Sequence, residues 1–162
     1  MTQQKAADAG QYLTFQLAGQ AYGLPIASVR EINRVSDIAP VPQAAAFVAG
    51  VINLRGKVIP VVDLRLKFGI EEIAATKETC IIVIESDHGQ VGTIVDAVRG
   101  VLELAAAQIE PPPMLGDDDR LSFLIGMGKV DEHVVVLVDV AAALSRDSFG
   151  LTLPAAGAPG MA

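Results

Sequence analysis

Two parts of this chain are written on one template. Phe47-x-x-Gly50 stands as far ahead of Asp63 as Phe123-x-x-Gly126 stands ahead of Asp139, and each Asp follows a Val-rich run. Earlier in each part, Gly23 precedes Val29-Arg30 at the spacing by which Gly92 precedes Val98-Arg99. Each match alone is weak. Agreement at several positions predicts two similar β units, each of about seventy residues, a size that buries only a modest core. Closing each sheet into a small barrel would remove its exposed edges. Packing the two units together would bury more apolar surface.

The stretch Gly50–Leu64 is the clearest part of that template. Val51-Ile52 and Val58-Ile59-Pro60-Val61-Val62 are β-branched runs, which suit pleated, half-buried backbone. Between them, Asn53-Leu54-Arg55-Gly56-Lys57 reads as a hairpin loop longer than two residues, with Arg55 at the tip. Pro60 cannot donate a ladder hydrogen bond, so an edge or a bulge is expected there. Asp63 precedes Leu64-Arg65-Leu66 and is placed to cap a short helix.

Read in order, residues 1–10 form a polar tail. Tyr12–Leu17 and Ala21–Ile26 read as strands around an Ala18-Gly19-Gln20 turn, and Ala27–Ile32 as a short helix or a turn. Ile38-Ala39-Pro40-Val41-Pro42 must be extended. Leu64–Phe68 reads as a short helix closed by Gly69. Cys80–Glu85, Gln90–Val95 and Val98–Glu103 read as strands. Pro111-Pro112-Pro113 breaks the pattern, and Gly116-Asp117-Asp118-Asp119 makes an acidic loop. Phe123–Val130 and His133–Val138 form a last hairpin, and Asp139 opens an Ala-rich helix to Leu144. The expected division is a tail at 1–10, a first barrel at 11–70, a connection at 71–78, a second barrel at 79–145 and a disordered tail at 146–162.

Composition narrows the function. With 162 residues, 51% apolar but only 4% aromatic and no Trp, the core must be Val, Ile, Leu and Ala. A net charge of −7 disfavours a nucleic-acid or anionic-membrane partner. Cys80 is the sole cysteine and suits a reducing compartment. No apolar run is long enough to span a bilayer, and the polar N-terminus does not read as a signal peptide. The expectation is a soluble cytoplasmic protein.

Val29-Arg30-Glu31-Ile32, followed by Gly50-Val51-Ile52-Asn53-Leu54-Arg55-Gly56 and Pro60-Val61-Val62-Asp63-Leu64, resembles the CheW family of bacterial chemotaxis adaptors. Gly92 through Val98 and Val134–Asp139 complete the pattern, over residues 11–145. The resemblance implies a mainly β fold: two SH3-like five-stranded barrels packed together, with short helices. It implies a non-enzymatic adaptor that couples transmembrane chemoreceptors to the histidine kinase CheA, located at the receptor array through its partners. A CheW-like module of a CheA or CheV type is the alternative within the family; no kinase motif or receiver domain fits this length. A small ligand-binding or enzymatic barrel is the competing class.

By the same resemblance, Arg55 contacts the receptor, with Glu31 near it. From the residues alone, Arg55 is either a solvated tip or a recognition group whose planar guanidinium offers several donors. Glu31 alone would be a surface carboxylate. Val29 and Ile32 divide between core packing and apolar contact at the receptor site. Residues that bind the kinase are not assigned; its interface is placed on the second barrel. Asp63 and Asp139 could pass for paired catalytic carboxylates, but their equivalent strand-to-helix positions favour capping. His88 and His133 sit in or beside turns without metal-ligand spacing, and Cys80 reads as a small buried hydrophobe. No metal and no cofactor is expected, for no phosphate-binding glycine loop or nucleophile–base pair stands out.

Overall fold

Alternate residues of a single strand serve two different cores here. In β6 (Cys80–Ser86), Ile82 and Ile84 join one buried cluster while Ile81 and Val83 join another. That follows from the period of two in extended chain. A run of consecutive β-branched residues is therefore a strand buried on both faces. The computed structural model describes residues 8–35, 38–42, 48–67, 76–86, 89–111 and 124–139.

The remaining strands are β1 (Gly10–Leu17), β2 (Gln20–Pro25), β3 (Val29–Arg34), β4 (Val48–Leu54), β5 (Lys57–Asp63), β7 (Gly89–Val95), β8 (Ala97–Leu104), β9 (Ile109–Glu110), β10 (Leu124–Val130) and β11 (His133–Val138). One helix, α1 (Leu64–Lys67), follows β5, and single 3-10 turns precede β3 and β9. Sheet I has the order β8-β1-β2-β11-β10-β9 and sheet II the order β3-β6-β7-β5-β4. The molecule is mainly β, with two SH3-like barrel subdomains packed together. Ile52, Ile59, Val61, Ile81, Val83 and Ile94 fill the sheet II barrel. Tyr12, Leu104, Ile125, Val135 and Leu137 fill the sheet I barrel. A third cluster draws on both sheets, with Phe15, Leu17 and Leu24 from one and Val62, Ile82 and Ile84 from the other.

The two sheets are not the sequential halves 11–70 and 79–145. β1 and β2 pair into sheet I with β8 and β11, whereas β6 and β7 pair into sheet II with β3 and β5. The template itself is visible in the pairing. Gly23 lies opposite Leu137 in a parallel ladder, and Gly92 lies opposite Val61 in the equivalent one. Each barrel thus combines the first two strands of one repeat with the remaining strands of the other. Exchange buries β-branched surface of both repeats in the shared cluster, and a repeat period alone does not reveal which copy a strand pairs with.

Three local expectations also change. Val29–Arg34 is a strand rather than a helix; only Ile26–Ser28 makes a 3-10 turn, because β3 finds a ladder on β6 that outweighs its helical spacing. The hairpin at Arg55 has a two-residue turn, since Leu54 already pairs with Lys57. The first turn is likewise Ala18-Gly19, with Gln20 in β2. Pro60 lies in β5 opposite Val51, just before the parallel ladder to β7 begins at Val61, so its missing donor interrupts nothing on that side. The tails at 1–7 and 140–162, Phe47, Phe123, Gly69, His88, the acidic loop and most of the connection at 71–78 lie outside the described residues.

Candidate functional site: an Arg–Glu pair beside an inter-barrel rim

The Arg55 turn is built from its sequence. Arg55 has φ 51° and Gly56 φ 87°, the positive values that a two-residue hairpin needs to match strand twist. Ala18 (φ 51°) and Asp131 (φ 55°) open two other two-residue turns, so the geometry at Arg55 comes from the hairpin and not from strain peculiar to a site. Asn53 Oδ1 accepts the Gly56 N–H at 2.9 Å and ties the turn. Gly50, at φ 150°, lets β4 lie against Ala39, whose carbonyl would be 2.2 Å from any added Cβ.

That turn carries the Arg55 guanidinium to β3. Nη1 donates to Glu31 Oε1 at 3.2 Å and Nη2 to Glu31 Oε2, a two-pronged contact. Asn33 Nδ2 donates to Glu31 Oε1 at 3.2 Å. The Arg55 side chain is 71% exposed and that of Glu31 24%. The Arg55 hydrogen bond, and then that of Asn33, hold the Glu31 carboxyl below its ordinary value; the same pair raises Arg55. The planar, partly uncovered guanidinium keeps a free edge for a second acceptor.

A bulge places Val29 and Ile32. Val29 lies opposite Ile84, but Glu31 already lies opposite Val83, so Arg30 is the extra residue. The slip turns Val29 and Ile32 to the face of Ile84 and Ile82, which is the face toward the other barrel. Val29 packs on the shared cluster and Ile32 is 43% exposed. Sheet I repeats the device: Val98 lies opposite Phe15 and Val101 opposite Leu13, with Val98 packed and Val101 55% exposed. Arg99 Nη1 reaches Glu78 at 2.9 Å, tying β8 to the segment that enters β6. Both edge strands therefore end the shared core in a half-covered apolar margin. Arg30 itself pairs with Glu85 at 3.3 Å.

Asp63 Oδ1 accepts the backbone N–H of Arg65 at 3.0 Å, at the start of α1. It also belongs to a buried cluster absent from the sequence reading. Arg65 Nε and Nη2 each donate to Asp63 at 2.9 Å, and Nη1 donates to Asp96 at 2.8 Å. All three side chains are nearly covered. The Asp-Leu-Arg run after a buried strand is the only hint of this in sequence; Asp96 arrives from far along the chain. Asp139 is half-buried after β11, and the helix expected beyond it lies outside the described residues. His133 is exposed at the start of β11. Cys80 is half-buried against the shared cluster, and burial pushes its thiol up. No group of three His, Cys, Asp or Glu among the described residues is arranged to hold a metal. No helix among them is long and apolar enough to cross a membrane.

Two SH3-like barrels on a common core, with an apolar margin where they meet and an exposed Arg–Glu pair on one of them, define a scaffold that works by presenting surfaces. The chain belongs to the CheW-like family, an adaptor family of chemotaxis, whose domain model matches residues 11–148. It is 34% identical over 141 residues to the chemotaxis protein CheW of Klebsiella aerogenes, covering 87% of this chain and 85% of that one. It is 30% identical to the chemotaxis protein CheW of Bacillus subtilis, covering 88% and 91%. The crystal structure of the scaffolding protein TtCheW from Thermoanaerobacter tengcongensis superposes with a TM-score of 0.80 at 34% identity, covering 90% of this chain and 99% of that one.

Proposed function

We propose that this chain is a non-enzymatic adaptor that couples transmembrane chemoreceptors to the histidine kinase CheA within a cytoplasmic receptor–kinase array. The observation that carries the reading is the Arg55–Glu31 pair, which ties the β4–β5 turn to β3 on the surface of the sheet II barrel, in a chain that matches the adaptor family almost throughout. The receptor's helical tip lies along the apolar margin of Val29 and Ile32, as an amphipathic helix lies in a groove. Arg55 and Glu31 supply the polar contacts at its edge. The kinase docks on the sheet I barrel, where Val134 of β11 is 44% exposed and can contribute to a desolvated centre. The adaptor transmits a signal because its contacts differ between the kinase-on and kinase-off arrangements.

The test is a reconstituted array of receptor, adaptor and kinase, scored for kinase activation, with melts on the same samples. Arg55→Ala keeps its melting temperature, because an exposed ion pair adds little to stability. It loses receptor coupling, with affinity falling roughly thirtyfold or more, as for truncation of one member of a desolvated pair. Soluble kinase still binds. Wild-type activation by Arg55→Ala would overturn this assignment. A tightly bound small molecule in native mass spectra, without kinase association, would favour the ligand-binding class.

A further inference from the structure

Asp96 is the single residue between β7 of sheet II and β8 of sheet I. Its backbone N–H donates to Gln16 O at 3.0 Å, and its Oδ2 accepts the Ala18 N–H at 2.7 Å, both on the β1–β2 hairpin of sheet I. Its Oδ1 accepts from Arg65 at 2.8 Å, and Arg65 is clamped on Asp63 at the end of β5 in sheet II. A continuous polar path therefore runs from one barrel to the other through two carboxylates and one buried guanidinium. Among the described residues the path exists once. By the repeat, the counterpart of Asp96 is Ala27 and that of Arg65 is Ala141. The other crossing between sheets, through Ile26–Ser28, thus lacks the residues for such a path.

We infer that the Arg65–Asp96 contact is a latch that fixes the angle between the barrels and so sets the spacing of the two apolar margins. β8 starts at Ala97, directly after the latched residue, and carries Val98 and Val101; β3 on the other barrel carries Val29 and Ile32. A shift at Asp96 moves the first margin against the second. Planar guanidinium geometry suits such a part, for it holds both carboxylates in fixed directions. Arg65 and Asp96 are then positioning residues for receptor contact, a role that rests on the receptor reading above.

The test separates the two claims. Nitroxides on Val58→Cys and Val134→Cys, in a Cys80→Ala background, report the distance between the barrels by electron-spin resonance. The wild-type latch gives one narrow distribution. Asp96→Asn removes the charge while leaving an acceptor for Ala18, and it broadens the distribution while circular dichroism stays native. Measured on unlabelled protein with Val134 intact, receptor affinity of Asp96→Asn falls roughly fivefold or more, the low end of coupling between linked sites, while soluble kinase binds as before. Arg65→Lys keeps the charge but not the fork, and broadens the distribution too. Unchanged distributions in both variants overturn the latch. Broadening with wild-type receptor affinity overturns its positioning role, provided Ile32→Glu abolishes receptor binding in the same assay. If Ile32→Glu binds receptor normally, the receptor reading itself is wrong, and the distance measurement alone still decides whether the latch exists.

Discussion

Glu31 shows how one side chain can join stability to recognition. Its carboxyl is held below the ordinary range by Arg55 first and Asn33 second. A lowered folded value means that the pair's contribution is complete above the carboxyl's ordinary pKa. It fades only as pH falls through the lowered value. Carboxyl-carbon NMR titration of the folded protein should place the Glu31 midpoint below that of a free glutamate, and Arg55→Ala should move it back up. An unmoved midpoint would mean that Asn33 or the strand itself does the holding. Arg55 was legible as a hairpin tip because Asn53 and Gly56 surround it. Its partner was legible only through family likeness, since Glu31 comes from a different strand. Arg65 was passed over because an arginine at the second position of a helical turn looks like a surface residue until Asp96 is placed beside it.

At the scale of strands, the shared core contains one unresolved conflict. Thr93 of β7 lies opposite Val62 and Ile82 and is fully buried, yet its hydroxyl has no hydrogen-bond partner among the described residues. Its repeat counterpart, Leu24, is apolar and belongs to the shared cluster. Thr93→Val keeps the shape and removes an unsatisfied hydroxyl, so chemical denaturation should show a gain of about 1 kcal/mol. A loss instead would reveal a partner for that hydroxyl. The strands of this core were readable from sequence because β-branched runs bounded by Gly, Asp and Asn leave few choices. β3 was not. Val29 and Ile32 sit at helical spacing, and the bulge at Arg30 is what brings both to one face of a strand. A bulge repairs the alternation in space while erasing it in the sequence, which is why the pattern pointed to a helix.

The whole molecule is governed by the exchange of strands between repeats. Two copies of a template were visible in the sequence; which copy completes which barrel depends on long-range pairing and left no local mark. A division between residues 75 and 76 should therefore give neither barrel. The separate pieces 1–75 and 76–162 should each lack native circular dichroism, and mixing them should restore it, because each supplies two strands to the other's sheet. Two independently folded pieces would contradict the pairing. The same wiring sets an order of events on the ribosome. All strands of sheet II have emerged once β7 is out, whereas β1 and β2, made first, must wait for β8 and then for β11. At about 5–20 residues per second, that wait lasts on the order of ten seconds. Throughout it, Phe15, Leu17 and Leu24 remain without the last strands of their own sheet. The first hairpin synthesised is thus among the last to be housed, and the nascent chain is most open to holding chaperones while its N-terminal strands wait.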